Sequence, residues 1–314
     1  MRRGYLGIDV GSISTNAVLF DDSRNVLFTY YVRVSGNPID SVKRCIKELD
    51  SVMQDKNIEI AAVCTTGSGR QLVGALLGAD VIKNEISAHA RAAIDLHPDV
   101  RTIIEIGGQD SKIIIIEDKT VVDFAMNLVC AAGTGSFLDS QARRLDISIE
   151  ELSRRSITAP HPTSIAGRCT VFAESDMINK QQTGHAQEDI LMGLCHSLAR
   201  NFIGNVARGK PIHAPVLLQG GVSANMGMLR AFEDILGYKV IVPPFNMVMG
   251  AYGAALLAME ADVAESRFRG INIWQHNVYT RGIACEDCPN NCEIIEIIDT
   301  GELVGRTGGR CGKW

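Results

Sequence analysis

The sequence has no excess of positive charge: 31 Lys and Arg stand against 36 Asp and Glu, a formal net charge of −5. Nucleic-acid binding driven by phosphate contacts needs the opposite balance, and no basic run interleaved with aromatics offers a local exception. Any run of about 18 apolar residues is also missing, so no membrane-spanning helix is expected. The N-terminus, Met1-Arg-Arg-Gly-Tyr-Leu-Gly-Ile, enters a strand-like segment without an apolar h-region. No signal peptide is read there, and a cytoplasmic location is expected. No G-x-x-x-x-G-K-[ST] occurs, which excludes a P-loop. Gly133-Thr-Gly135-Ser-Phe-Leu lacks the third glycine of a dinucleotide fingerprint, and no strand leads directly into it.

What is present is enough apolar material, 46% of 314 residues, for two linked lobes and a short appendage. Strand-like stretches at 5–10, 16–20 and 26–34 precede a helical periodicity over 40–53, with Val42, Cys45, Ile46 and Leu49 on one face. A short buried strand at 60–64 and helices at 70–77 and 85–96 follow. From Arg101 the opening order returns as strand (102–106), glycine turn, strand (112–116). Helices are expected from about Ser136 and Thr170 and over 187–206. A strand at 216–219, a helix at 226–236, a strand at 240–242 and a helix at 247–260 complete the series. Strands alternating with helices in two similar openings predict an α/β fold of two duplicated lobes with a cleft between them. The expected boundaries are 1–98 with 248–262 packing back, 99–247, and an extension over 263–314.

Three glycine-bearing turns are candidate ligand loops. Asp9-Val-Gly11-Ser12-Ile-Ser14-Thr15 is a hairpin whose backbone N–H groups and hydroxyls suit a phosphate. Glu105-Ile-Gly107-Gly108-Gln109-Asp110-Ser-Lys112 is its counterpart in the second lobe, and Gly220-Gly221-Val-Ser223 lies at a strand end, where ligands of α/β sheets bind. Together the three resemble the phosphate-1, phosphate-2 and adenosine motifs of the actin/Hsp70/sugar-kinase superfamily. That resemblance implies ribonuclease H-like lobes, ATP or ADP, and two acids that hold Mg²⁺ through water. Asp9 and Glu105 match those acids. Glu105 departs from the usual Asp, and its extra methylene moves the carboxylate by about 1.5 Å, with Gln109 and Asp110 placed to take up the difference. Glu85 is a further candidate for orienting the attacking water.

Nine cysteines in a chain expected in the cytosol point to thiols or metal ligands rather than disulfides. Cys45, Cys64 and Cys195 are scattered and read as core thiols. Cys130 and Cys169 each precede a predicted helix, whose N-terminus stabilises negative charge. With the loops above, Cys130-Ala-Ala-Gly-Thr-Gly-Ser-Phe137 and Cys169-Thr-Val-Phe-Ala-Glu174 resemble the BadF/BadG/BcrA/BcrD group, the activator ATPases of 2-hydroxyacyl-CoA dehydratases, over residues 4–262. The resemblance implies a homodimer with one [4Fe-4S] cluster on its two-fold axis, ligated by Cys130 and Cys169 of each subunit. It also implies reduced ferredoxin or flavodoxin as electron donor and a dehydratase, or a related iron–sulfur component, as acceptor. Small-molecule kinases of the same superfold and a zinc-bearing, ATP-binding regulator are the alternatives.

Cys285-Glu-Asp-Cys288-Pro-Asn-Asn-Cys292 is followed by a predicted hairpin (294–298 and 303–305, turning at Asp299-Thr-Gly301) and then Cys311. Four such cysteines predict a metal site, either structural Zn²⁺ or a second [4Fe-4S] cluster, with a disulfide pair as a third possibility.

Overall fold

The computed structural model describes residues 2–34, 36–127 and 130–314. Contacts divide the chain into two units, 1–92 with 248–314, and 93–247.

The first unit opens with an antiparallel meander, β1 (Arg2–Val10), β2 (Ser14–Asp21) and β3 (Val26–Arg33). Helix α1 (Pro38–Lys56) starts where the Asn37 side chain accepts the Ile39 N–H and Pro38 fills the first turn, and it ends at left-handed Asn57. Then come β4 (Ile58–Thr66), α2 (Arg70–Leu77), β5 (Val81–Ile82) and α3 (Glu85–Leu96). The sheet order is β3-β2-β1-β4-β5, with β4 and β5 parallel to β1.

The second unit repeats this plan. An antiparallel meander of β6 (Thr102–Ile106), β7 (Ser111–Glu117) and β8 (Thr120–Asn127) leads to helices α4 (Gly135–Arg144), α5 (Ile149–Ser156), α6 (Thr170–Gln182) and α7 (Gln187–Asn205). Strand β9 (Val216–Gln219) then adds parallel to β6, giving the order β8-β7-β6-β9, and α8 (Met226–Leu236) follows. The strand expected at 240–242 is a single parallel bridge, Leu217 to Ile241, in the place that β5 takes in the first unit. The core gathers Ile104, Ile106, Phe137, Leu138, Leu191, Leu194 and Leu198, with Phe202 edge-on to Phe232 at 5.7 Å.

Helix α9 (Met249–Glu260) returns to the first unit. Its Gly and Ala content lets it lie directly on β1. A β-carbon on Gly7 would collide with the backbone of Ala251 and Ala255, and one on Gly253 with the Ala88 carbonyl of α3. Gly253→Ala is therefore expected to destabilise this unit by about 1–3 kcal/mol through overpacking, read as a lowered thermal midpoint with nucleotide absent.

The extension over 263–314 contributes to the first unit's core: Ile273 and Ile297 are buried in it, with Trp274 and Ile271 packed alongside. It forms a three-stranded sheet of β10 (Val278–Ala284), β11 (Glu293–Asp299) and β12 (Glu302–Thr307), ordered β10-β11-β12. The predicted hairpin is β11–β12, turning at Thr300 and Gly301, both at positive φ. Strand β10 was not anticipated.

Candidate functional site: two matched glycine loops and two solvent-accessible cysteines

The two glycine hairpins close identically. The Gly11 N–H donates to the Ser14 carbonyl at 2.9 Å, and the Gly107 N–H to the Asp110 carbonyl at 3.0 Å. The match extends across the sheets. Asp9 pairs in register with Asn16 and Thr66, and Glu105 with Lys112 and Gln219. Each acid also has a glycine against its carboxylate: Gly67 (φ 87°) beside Asp9 and Gly220 (φ 83°) beside Glu105. A β-carbon on Gly67 would strike Asp9 Oδ1, and one on Gly220 would stand 2.5 Å from Glu105 Oε1. Positive φ and the absence of a side chain are both required there. Gly67, which the sequence reading passed over, is thus the first unit's equivalent of Gly220. A glycine directly after a buried strand with a serine within the next three residues (Gly67-Ser68, Gly220-Gly221-Val-Ser223) was the available signal.

The units differ in charge. In the second, Lys112 Nζ lies 2.7 Å from Glu105 Oε2 and 3.0 Å from Asp110 Oδ2, and both Lys112 and Glu105 are buried. The longer Glu side chain reaches this ammonium, which occupies the register position held by uncharged Asn16 in the first unit. Gln109, by contrast, is exposed at the loop tip. The third turn is tied internally: Ser223 Oγ donates to the Gly220 carbonyl at 2.5 Å, Asn246 Nδ2 donates to Ser223 Oγ at 2.8 Å, and Gly221 lies exposed.

In the first unit Ser12 is exposed and Ser14 half-buried, and a 270 Å³ cavity is lined by Gly11, Ser12, Ser68 and Gly69, among others. Thr15 is fully buried with its hydroxyl 2.6 Å from Ser41 Oγ, so it braces α1 rather than facing the cavity. Glu85 sits half-buried in the first turn of α3, and His89, one turn on, is buried. A β-carbon on Gly250 would strike Asp9 Oδ2 and lie 3.3 Å from His89 Nε2. His89, to which the sequence reading gave no role, therefore converges on Asp9. Only the fold brings residues 9, 89 and 250 together.

The cysteines separate by exposure. Cys45, Cys64 and Cys195 are fully buried, and burial pushes each thiol up to about 12. Cys130 is exposed and Cys169 partly so. Cys169 is the N-cap of α6. Cys130 caps only the short 3₁₀ turn Ala131–Gly133, and α4 begins at Gly135. The N–H groups of Gly135 and Ser136 do not point at Cys130 as the sequence suggested. They donate to the carbonyls of Gly107 and Gly108 at 2.9 and 2.8 Å, so the segment carrying Cys130 is bonded directly to the second glycine loop. Leu128 and Val129, part of the Cys130 motif, lie outside the described residues.

At the C-terminal end, Cys285 and Cys292 face each other across the β10–β11 connection, where the Cys285 N–H donates to the Cys292 carbonyl at 2.8 Å. The Trp314 indole N–H donates to Cys285 Sγ at 3.3 Å, and Lys313 pairs with Asp287 beside it. Cys288 and Cys311 are exposed. Among the described residues no three His, Cys, Asp or Glu side chains are gathered as metal ligands, so the expected four-thiolate arrangement is not assembled here. The indole and the ion pair occupy the neighbourhood of Cys285 instead.

The sequence profile of the BadF/BadG/BcrA/BcrD ATPase family matches residues 6–258. The chain belongs to that family. This ATPase is 38% identical over 257 residues to the activator of lactoyl-CoA dehydratase of Anaerotignum propionicum, covering 82% of this chain and 97% of the relative. The crystal structure of component A of the Acidaminococcus fermentans (R)-2-hydroxyglutaryl-CoA dehydratase superposes with a TM-score of 0.74 at 34% identity, covering 82% of this chain and 98% of that one. The activator of 2-hydroxyisocaproyl-CoA dehydratase from Clostridium difficile, solved with bound ADPNP, gives 0.75 at 32% identity, covering 83% and 95%. The ATPase shares with them the mixed α/β, actin-like fold. Its residues 259–314 lie beyond the family match. Among the described residues no helix is long and apolar enough to cross a membrane.

Proposed function

We propose that this ATPase is an iron–sulfur electron-transfer activator, which passes one low-potential electron to a 2-hydroxyacyl-CoA dehydratase or a similar iron–sulfur partner. The observation that carries the reading is that Cys130 is exposed and Cys169 partly so, in a chain whose three thiols outside these two and the terminal four are sealed in the core. Four thiolates hold a [4Fe-4S] cluster, and two such chains related by a two-fold axis bring four. The residues fit a site completed by a second copy. Val171 and Phe172, which follow Cys169, are 68% and 66% exposed, an apolar surface that a partner subunit would cover. When bound, the cluster would supply reversible one-electron chemistry.

The chain's own residues would do the rest. Asp9 and the Gly11–Ser14 hairpin would hold Mg²⁺ and phosphate, with Glu85 and His89 facing the same side of the first unit. The Gly107–Asp110 loop would receive phosphate in the second unit, with Lys112 keeping Glu105 and Asp110 in place, and Gly220, Gly221 and Ser223 would border the adenosine. Hydrolysis would proceed by positioning water for attack on the γ-phosphate, giving ADP and phosphate without a covalent intermediate. Reduced ferredoxin or flavodoxin would be the donor of the electron, and the dehydratase or related iron–sulfur component its acceptor. Nucleotide can drive that transfer to the extent that it binds two states of the dimer differently. The Gly135 and Ser136 hydrogen bonds to the Gly107–Gly108 loop offer a direct mechanical link. The terminal cysteines carry a separate expectation of Zn²⁺ or a second [4Fe-4S] cluster, and no electron step is assigned to them.

Iron, sulfide and zinc analysis of the anaerobically purified dimer tests both points. About four iron atoms per dimer fit the shared cluster, about twelve fit that cluster plus one in each terminal segment, and zinc without sulfide overturns the electron-transfer reading.

A further inference from the structure

The stretch that runs into Cys169 has no secondary structure of its own, yet four consecutive carbonyls in it are held by side chains of one helix. Arg200 Nη2 donates to the Ile165 carbonyl at 2.6 Å and Ser197 Oγ to the Ala166 carbonyl at 2.5 Å. Asn201 Nδ2 donates to the carbonyls of Gly167 at 2.8 Å and Arg168 at 3.2 Å. Positions 197, 200 and 201 share one face of α7 because residues three and four apart are neighbours on a helix. The Ala166 N–H is held as well, by Asp176 Oδ2 of α6 at 2.8 Å.

The Cys130 loop is fixed from its other side. Asn127 accepts the Cys130 N–H on Oδ1 at 3.0 Å and donates Nδ2 to the Cys130 carbonyl at 2.7 Å. The two loops meet at Gly133. A β-carbon there would lie 2.9 Å from Asn201 Oδ1, 3.4 Å from Asn127 Nδ2 and 3.6 Å from Ser111 Oγ. Asn201 is 2% exposed, and among the described residues its Oδ1 accepts no hydrogen bond. One buried amide thus bonds the Cys169 loop with its nitrogen and abuts the Cys130 loop with its oxygen. Leaving a buried acceptor unpaired is unfavourable, so the two bonds from Nδ2 to the Cys169 loop are what hold the oxygen against Gly133 of the Cys130 loop.

We infer that Asn201 is a positioning residue that sets the spacing between Cys130 and Cys169 before any iron is bound, so that each subunit offers its two thiolates as a preformed half-site. This rests on the shared-cluster reading above. Partners behind the ligands of a metal commonly change its retention by about 10–100-fold when removed. The physical reason is that loops already ordered lose less entropy when they bind.

Asn201→Asp keeps the size of the side chain but replaces its two N–H donors with an acceptor facing two carbonyls. Ser197→Ala removes a bond on the Cys169 side alone. In anaerobic holoprotein, N201D is expected to release iron to a chelator about tenfold faster than the parent and to alter the electron paramagnetic resonance signal of the reduced dimer. S197A should change release by less than about threefold, and both variants should keep parental ADP affinity as a check on folding. A second measurement needs no iron. With Cys285, Cys288, Cys292 and Cys311 changed to Ser, nitroxide labels on Cys130 and Cys169 report their separation within one chain, in subunits diluted with unlabelled protein. The distance distribution should broaden in N201D and stay narrow in S197A. Unchanged distances in N201D, or equal broadening in S197A, overturn the positioning role. A parent dimer without iron would instead defeat the shared-cluster reading, and the label distances would still decide the spacing claim.

Discussion

Cys130→Ser is expected to empty the dimer of its iron and to abolish electron transfer to the partner, while ATP hydrolysis stays within a few-fold of the parent. In the proposed shared cluster each subunit would lose one of two ligands, so half of the four thiolates would disappear at once. The protein itself should tolerate the change. The side chain is exposed, and the loop is held through backbone atoms, by Asn127 on the Cys130 N–H and carbonyl, rather than through sulfur. The glycine hairpins keep all their bonds. Cys195→Ser provides the contrast. Its sulfur is buried, and a hydroxyl there costs about 1–3 kcal/mol of stability unless it finds a partner, but iron content should not move. Iron and sulfide per dimer, partner activation and phosphate release, measured on the same preparations, check both. A C130S dimer with full iron and full activation would remove Cys130 from the cluster, and with it the reason for a two-fold partner.

How much of this could be read in the residue order differs by element. The helices over 38–56 and 187–205 declare themselves by apolar spacing, and the glycine hairpins by Gly beside Ser or Gly between buried strands. Strand β8 was missed because Thr120–Asn127 lies at the sheet edge and is half-exposed, which leaves no clean alternation to read. Helix α5 is short, yet its start was legible: Ser148 accepts the Glu151 N–H, and Ser-x-x-Glu before an apolar residue is a capping-box pattern. The helix start near Ser136 was legible, but the turning of its first N–H groups to the carbonyls of Gly107 and Gly108 rather than to Cys130 is tertiary, and no local pattern encodes it. The same holds for His89 and Gly250 beside Asp9, which are far apart in the chain, and for Asn201, one of several polar positions on its helix that no local pattern singles out.

The duplicated sheets make the two acids comparable, and they are expected to fail differently. Asp9→Asn should lower ATP hydrolysis by about 100-fold or more, the scale of removing one preorganised charged or hydrogen-bonding group from a phosphoryl-transfer site, with little loss of stability. Asn has the same shape, so Gly67 and Gly250 still accommodate it. Glu105→Gln should act on folding as well. It leaves the Lys112 ammonium buried with Asp110 alone at 3.0 Å, and breaking a buried pair from one side costs about 3–5 kcal/mol, less here because the second carboxylate remains. The second unit should therefore melt earlier in E105Q and at the parental temperature in D9N. Phosphate release titrated with Mg²⁺, alongside thermal melting, separates the two. Hydrolysis with parental rate and Mg²⁺ dependence in D9N would take Asp9 out of the site. A parental melting curve in E105Q would show that Lys112 is satisfied without it, and that the acid at this position is free for the nucleotide after all.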